Sequence, residues 1–325
     1  MKRKAARPRP SHKSILLPGM LVEVLPAREI LRTLDTQQCL DGLPFMPEML
    51  PYCGRSYKVA LRAELACVSP PEVPFRRLDN CVVLAGLRCD GSKHGGCQLG
   101  CMFFWKEAWL RAPDTVGSAE DHVGSERAPV LRVTVPTDPD RWFCQATQLR
   151  AATQPGEPRW KPGQYVRMLR VGTLTPVELV AMCARPVRRR LARLFPPGAR
   201  SGRRHALAHD ESLGLTPGDW VEVKSRDEIL HTLDSSGRHH GLAFSHFMYR
   251  QCGKRFRVQR RAERIIVEAT GRLRPIDDTV ILEGSICDRY NGCARGMPML
   301  WREAWLKRID VNPDRMHCDP RGPYP

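Results

Sequence analysis

The residues of this chain best suited to chemistry are its cysteines, which recur in two groups with matching surroundings. The first group contains Cys53, Cys89, Cys97, Cys101 and Cys144, and the second contains Cys252, Cys287, Cys293 and Cys318. Met297 stands where the second group would match Cys101, so either Cys101 or Cys144 completes a set of four in the first group. Four thiolates are the ligand set of a tetrahedral zinc ion or an iron–sulfur cluster. The pattern therefore predicts one zinc ion or one iron–sulfur cluster for each group.

The spacing of these cysteines leaves the kind of metal open. Most structural zinc sites contain a Cys-x-x-Cys pair, and this chain has none, which leaves room for an iron–sulfur cluster. Glycines around the cysteines permit tight turns whose backbone N–H groups face sulfur. The alternative interpretation is that the cysteines are small buried apolar side chains and bind no metal. We apply that interpretation to the cysteines that lie in apolar stretches or lack a counterpart: Cys39, Cys67, Cys81 and Cys183.

Few residues suggest catalysis. His94 lies between Cys89 and Cys97 and is a candidate ligand or base, but a histidine in a glycine-rich loop is usually solvated, and we expect it to be exposed. Glu107 and Glu303 occupy equivalent positions as candidate general acids, and we expect them instead to pair with arginine. The chain has no Gly-x-Ser-x-Gly elbow, phosphate-binding loop or dinucleotide motif. We therefore interpret the protein as a non-catalytic metal-binding scaffold, with a zinc- or iron–sulfur-dependent accessory enzyme as the alternative.

An internal repeat accounts for the paired cysteines. The offset between the two copies stays constant from their Pro-Gly turns to the first cysteine of each group, and the similarity resumes later after small length changes. Matching segments include 18–24 with 217–223, 105–110 with 301–306 and, more weakly, 140–144 with 314–318. Similarity of this extent indicates a duplicated module. The weaker match predicts that the first copy carries an insertion before its last cysteine, Cys144.

Each copy is predicted to be a small β structure with one helix. A Pro-Gly turn precedes an alternating strand, and Ser225 with Glu228 forms a capping box at the start of a short helix. The segments 57–68, 82–87 and their counterparts are predicted strands, and we expect the Trp-containing segment to be a strand too. The fold class is therefore mostly β with some α: a tandem duplication of a small SH3-like barrel or roll, joined by a helical, Arg-rich connector.

Five segments follow from these patterns. They are a basic tail at 1–16, a first cysteine module at 17–113, a connector with helices at 114–200, a flexible linker at 201–216 and a second cysteine module at 217–325. The connector is expected to carry Cys144 back to the first module. Within it, Thr175 and Glu178 predict a capped helix, and 187–195 predicts a second amphipathic helix surrounded by arginines.

The charge distribution indicates an acidic partner. The net charge is +17, and most of the excess lies in the N-terminal tail and in the run from Arg185 to Arg204, which contains no acidic residue. Such runs attract nucleic acid or an acidic protein, but few aromatic residues accompany them, so sequence-specific base recognition is not predicted. The chain has no apolar run long enough to span a membrane, and grouped cysteines without a signal peptide favour a reducing, cytoplasmic compartment.

Overall fold

The computed structural model describes residues 15–68, 75–113, 130–158, 161–184, 212–245, 247–287 and 292–309. The protein is mostly β with a few helices, 21% helical and 32% strand, and its sheets curl into half-barrels. This confirms the predicted α+β class. Most of the predicted basic tail, the arginine-surrounded helix at 187–195 and most of the predicted flexible linker lie outside the described residues.

A five-stranded antiparallel sheet forms the centre of the first module. Its strands are β1 (Leu21–Val24), β4 (Ser56–Arg62), β7 (Cys81–Leu84), β8 (Trp105–Lys106) and β9 (Leu110–Arg111), in the order β8-β7-β4-β1-β9. Beside it lie two small sheets, formed by β2 (Cys39–Leu40) with β3 (Leu43–Pro44) and by β5 (Leu65–Ala66) with β6 (Arg76–Arg77). Val22 and Val24, alternate residues of β1, are fully buried because one face of the sheet covers the core.

A second five-stranded sheet has the corresponding strand order. Its strands are β12 (Trp220–Val223), β15 (Arg255–Arg261), β18 (Thr279–Ile286), β19 (Pro298–Arg302) and β20 (Leu306–Arg308), in the order β19-β18-β15-β12-β20. The remaining strands of this module are β13 (Arg238–His239), β14 (Leu242–Ala243), β16 (Arg264–Val267) and β17 (Arg272–Pro275). Val22 lies opposite Tyr57 in the first sheet, and Val221 lies opposite Phe256 in the second. Residues that match in sequence therefore also match in strand register.

Paired tryptophans fill both cores. Trp105 and Trp109 of the first module have no exposed area, and the same holds for Trp301 and Trp305 of the second. The Phe45 ring packs edge-on against Trp105 and Trp109, with ring centroids 6.4 and 5.4 Å apart. Aromatic side chains in such contacts dominate the stability of a small core. The prediction that the tryptophans form core rather than interface is confirmed.

The helices are short and lie between the strands. They are α1 (Ala27–Leu31), α2 (Gln145–Gln148), α3 (Pro162–Arg170), α4 (176–184) and α5 (Arg226–Leu230), with 3-10 turns at Pro47–Tyr52, Glu107–Trp109, Met248–Gln251 and Glu303–Trp305. Two of these turns interrupt the Trp-containing segments, so the prediction of a continuous strand there is wrong. The predicted capping box of Ser225 and Glu228 is confirmed at the start of α5. In the described ranges, no helix is long and apolar enough to cross a membrane.

The connector contacts both modules. Its strands β10 (Thr134–Val135) and β11 (Asp138–Trp142) join β17 and β16 in one sheet of order β10-β11-β17-β16. The Trp142 N–H donates a hydrogen bond to the Gly271 carbonyl at 2.8 Å in this sheet. Immediately afterwards, the α2 segment packs Cys144 and Leu149 into the first core. The connector therefore links the second module's hairpin to the first module's cysteines.

Candidate thiol-lined metal site

A tight loop between β7 and β8 holds three cysteines close together. The Cys89 N–H donates to the Cys101 carbonyl at 2.8 Å, which closes the base of the loop. Within the loop, the Gly96 N–H donates to the Gly91 carbonyl at 3.0 Å. Gly91 has a φ of +69°, and a Cβ at this position would lie 2.0 Å from the carbonyl oxygen of Cys97. Only glycine fits such a position, so Gly91 allows the chain to fold back onto Cys97.

Gln145 attaches the connector to the first module and thereby positions Cys144. Its side-chain amide donates to the carbonyls of Pro44 at 3.1 Å and Phe104 at 2.9 Å. Its Oε1 accepts the Phe104 N–H at 2.9 Å, and the residue is 4% exposed. Hydrogen bonds this deeply buried fix the first turn of α2, where Cys144 is the N-terminal cap. Sequence reasoning missed Gln145, although it directly follows a matched cysteine.

Four thiols line one small cavity. They belong to Cys89, Cys97, Cys101 and Cys144. The second module supplies Ile266, Arg295 and Met297 to the same cavity wall. Its volume of about 40 Å³ is large enough for an ion or a water molecule. The structure thus brings together both residues that the sequence left as alternatives, Cys101 and Cys144, and encloses them between the two modules.

Burial dominates the electrostatics of these thiols. It raises the pKa of Cys144 to about 11 and also raises the pKa of Cys89 and of Cys101. The nearby guanidinium of Arg295 opposes this effect at Cys101, whereas the charges of Cys97 and Cys144 add to it. Cys89, Cys101 and Cys144 are therefore protonated when no cation lies among them. A cation in the cavity would stabilise the thiolates, and its binding would release protons.

The sulfurs surround the cavity without converging on a single point. Across the described ranges, no group of three or more His, Cys, Asp or Glu side chains is arranged to hold a metal ion. Binding would therefore require the cysteine side chains to rotate inward.

His94 is buried beside this cavity and hydrogen-bonded at both ring nitrogens. It is 1% exposed, so the expectation of a solvated histidine is wrong. Its Nδ1 lies 2.6 Å from Glu48 Oε1, and its Nε2 lies 3.1 Å from the Phe143 carbonyl oxygen. A carbonyl oxygen only accepts, so Nε2 is the donor in its hydrogen bond to Phe143. Among the described residues, Glu48 Oε2 has no hydrogen-bond partner. No sequence pattern pointed to Glu48, which lies in a proline-containing turn.

Cys293, predicted as a ligand of the second site, lies at the contact between the modules. Its Sγ accepts the Cys67 N–H at 3.3 Å, and the two thiols hydrogen-bond to each other. The hydrogen bond from the Cys67 thiol is the main cause that lowers the pKa of Cys293 despite burial, and the same contact raises the pKa of Cys67. The apolar surroundings of Cys67 in the sequence did not indicate this contact.

The remaining predicted ligands lie elsewhere. Cys53 is not among the cavity-lining residues: its Sγ lies 4.0 Å from the Met49 carbonyl, and burial raises its pKa to about 11. Cys252 and Cys287 pack against the core of the second module. Cys318 lies outside the described residues. The ligand roles predicted for these four cysteines therefore stay predictions.

The two candidate general acids are paired with arginines. Glu107 forms a salt bridge with Arg62, and Glu303 forms one with Arg261 at 2.6 Å. Glu303 has no exposed area and also accepts the backbone N–H groups of residues 214 and 215 at 2.8 and 3.1 Å. The expected pairing with arginine is confirmed. In these positions the carboxylates stabilise loop and sheet contacts.

Comparison of the chain with protein-family models, with curated proteins and with solved structures finds no match. The site described above therefore has to be interpreted from its own geometry and chemistry.

Proposed function

We propose that this protein is a non-catalytic scaffold in which a metal site built from first-module thiolates holds two related modules together, and that it binds an acidic partner. The observation that carries the metal site is the arrangement of Cys89, Cys97, Cys101 and Cys144 around one cavity. Four sulfurs suit a zinc ion or an iron–sulfur cluster.

The composition of the cavity wall supports a site with a mainly structural role. The thiols come from the loop after β7 and from the connector, and the second module covers them with Ile266, Arg295 and Met297. A metal bound here would tie the loop and the connector to one point beneath the second module. Its binding free energy would then contribute directly to folding, as in small metal-stabilised domains. The matching site predicted in the second module is retained as a prediction.

The two five-stranded sheets support the finer proposal of a duplicated, SH3-like module. Their strand orders correspond, and equivalent residue pairs face each other across the β1–β4 and β12–β15 ladders. Curled antiparallel sheets of this size are typical of small barrels. Two copies of such a module would present two related surfaces, which is what a scaffold requires.

The pairing of the candidate acids supports a non-catalytic role. The repeated acids Glu107 and Glu303 are engaged by Arg62 and Arg261. A further buried carboxylate near the cavity, Glu48, is hydrogen-bonded to His94. All three carboxylates are therefore engaged by arginine or histidine side chains of the protein itself.

Metal analysis of anaerobically purified protein tests the proposed site. We expect bound zinc, or iron with sulfide and absorbance near about 400 nm. Cys101→Ser and Cys144→Ser should each lower the bound metal, while Cys183→Ser, which alters an exposed cysteine outside the cavity, should leave it unchanged. Wild-type protein without metal, or equal metal in all variants, would contradict the proposal. Zinc would favour the structural role, and a redox-active cluster would favour the accessory-enzyme alternative.

A salt titration tests the proposed partner. The net charge of +17 predicts binding to generic duplex DNA at low ionic strength, with an affinity that falls as salt rises. Replacing Arg188, Arg189 and Arg190 with glutamine should reduce the salt dependence by about three counterions. The matched control replaces three exposed or half-exposed basic residues of the modules, Arg28, Lys58 and Lys254, and should have a smaller effect. Lack of binding at low salt would exclude nucleic acid and leave an acidic protein as the partner to test.

A further inference from the structure

The two modules dock through a reciprocal pair of backbone hydrogen bonds. The Gln98 N–H donates to the Arg264 carbonyl at 3.0 Å, and the Ala294 N–H donates to the Leu65 carbonyl at 2.8 Å. In the sequence repeat, Gln98 corresponds to Ala294, and Leu65 corresponds to Arg264. The cysteine loop of each module thus binds the edge of the equivalent strand in the other module, β16 or β5. The two junctions are equivalent halves of one interface.

Each junction also places a cysteine sulfur against a backbone N–H of the facing strand. Cys97 Sγ accepts the Ile266 N–H at 3.3 Å, and Cys293 Sγ accepts the Cys67 N–H at 3.3 Å. Cys67 and Ile266 occupy corresponding positions in the repeat. The first junction therefore has one sulfur facing an isoleucine, whereas the second brings two thiols into hydrogen-bonding contact.

We propose that Cys67 and Cys293 form a disulfide that locks the two modules together when the protein meets a low-molecular-weight disulfide such as oxidised glutathione. Both sulfurs are thiols in the structure. Their contact is set by the backbone hydrogen bonds of the junction, including the bridge between Leu65 and Cys293. A disulfide requires two cysteines whose backbones are already held close, and this junction provides that.

The two thiols differ in exposure, and this difference indicates the order in which they react. Cys67 is half-buried, whereas Cys293 is 3% exposed, so the oxidant reaches Cys67 first. The Cys67 sulfur attacks the oxidant's S–S bond as its proton passes to the hydrogen-bonded Cys293 sulfur, forms a mixed disulfide and releases one thiolate, which takes up that proton. The Cys293 thiolate then attacks the Cys67 sulfur, forms the protein disulfide and releases the second thiol. Two cysteine thiols are oxidised, one S–S bond of the oxidant is reduced, and the two cysteine protons leave with the released thiols.

The surroundings of Cys293 favour its role as the second nucleophile. The Cys67 N–H points at its sulfur. Arg295, which lies close by in sequence and space, donates to the Cys67 carbonyl at 3.3 Å and forms a salt bridge with Glu268. A thiolate in this position is therefore stabilised by a backbone dipole and by a guanidinium. The disulfide would join residues 226 positions apart and would enclose the whole connector in the resulting loop.

Peptide mapping of the oxidised full-length protein tests this inference. Reduced protein is incubated with oxidised glutathione, its remaining thiols are blocked, and a tryptic digest is analysed by mass spectrometry without reduction. We expect the peptide containing Cys67 linked to the peptide containing Cys293 as the predominant intramolecular cross-link. Glutathionylation of the exposed Cys183 confirms in the same sample that the oxidant is active.

The repeat supplies a matched variant, Cys67→Ile, because isoleucine is the residue at this position in the other junction. This variant should fold, keep the metal content of the wild type and lose the cross-link. Cys293→Ser should instead accumulate a mixed disulfide at Cys67. The inference is overturned if the wild type shows modified Cys183 without the cross-link, or if other cysteine pairs cross-link to the same extent. Neither Cys67 nor Cys293 lines the cavity of Cys89, Cys97, Cys101 and Cys144, so the result is independent of the metal site proposed there.

Discussion

Replacing Gly91 with alanine should open the cysteine loop. Two effects add at this position. A left-handed backbone costs a non-glycine residue about 1–2 kcal/mol, and Gly91 has a φ of +69°. The new Cβ would also lie 2.0 Å from the carbonyl oxygen of Cys97, and because backbone atoms cannot rotate away, this overlap adds about 1–3 kcal/mol. We therefore expect a loss of about 2–5 kcal/mol in the free energy of unfolding.

Gly86→Ala is the matched control, because Gly86 has a φ of +76° but nothing lies within 4 Å of the point that a Cβ would occupy there. It should lose only the backbone contribution of about 1–2 kcal/mol. Urea unfolding followed by tryptophan fluorescence measures both values, and metal analysis of the same samples reports on the site. Gly91→Ala should lose metal, since Cys97 moves away from the other thiols, and Gly86→Ala should retain it. Equal stabilities and equal metal contents for the two variants would refute the reasoning.

Three further changes test the charge pairs and the helix cap. Glu303→Gln leaves buried donors without their carboxylate and should lower the free energy of unfolding by about 2–4 kcal/mol. The control Glu222→Gln alters a more exposed pair and should cost less than about 1 kcal/mol. Urea unfolding measures both values. Hydrogen bonds from Lys307 and Ser225 hold the pKa of Glu228 at about 2, below its ordinary value of 4.5, so its stabilising contribution is present above about pH 4.5 and is lost as the pH falls towards 2. The free-energy difference between wild type and Glu228→Gln should therefore shrink across that range, from at most about 1 kcal/mol because the pair is exposed. Ser225→Ala removes the cap of α5 and should lower the free energy of unfolding by about 1 kcal/mol; an unchanged urea midpoint would contradict that assignment.

Local patterns in the sequence predicted the local structure well. The capping box at Ser225 and the helix that starts after Thr175 both depend on residues three positions apart, and both are confirmed. The buried tryptophans follow from their size and from the small cores that they fill. The strand prediction for the Trp-containing segments was wrong because a 3-10 turn, such as Glu107–Trp109, separates two short strands that lie at opposite edges of the sheet, β8 and β9.

The environment of the candidate site depended on contacts between distant segments, and these could not be derived from spacing. His94 can be buried because its ring nitrogens hydrogen-bond to Glu48 and to the Phe143 carbonyl, and both partners lie more than forty residues away in sequence. Cys67 has Ile266 as its counterpart in the repeat, so no pattern set it apart, and its importance emerges only from the docking of the modules. The repeat shows which residues of the two copies correspond, but it contains no information about how one copy packs on the other.

The sheet of order β10-β11-β17-β16 constrains how the chain can be divided. Strand β11 satisfies one side of β17, through the pairing of Arg141 with Arg272 and the hydrogen bond between Trp142 and Gly271. A fragment that begins at residue 217 would lack β11 and expose the unpaired N–H and C=O groups of β17 to solvent. Exposed strand edges template pairing between molecules. We expect such a fragment to self-associate where the full chain does not. The connector therefore protects an edge of the second module's sheet from pairing with other molecules.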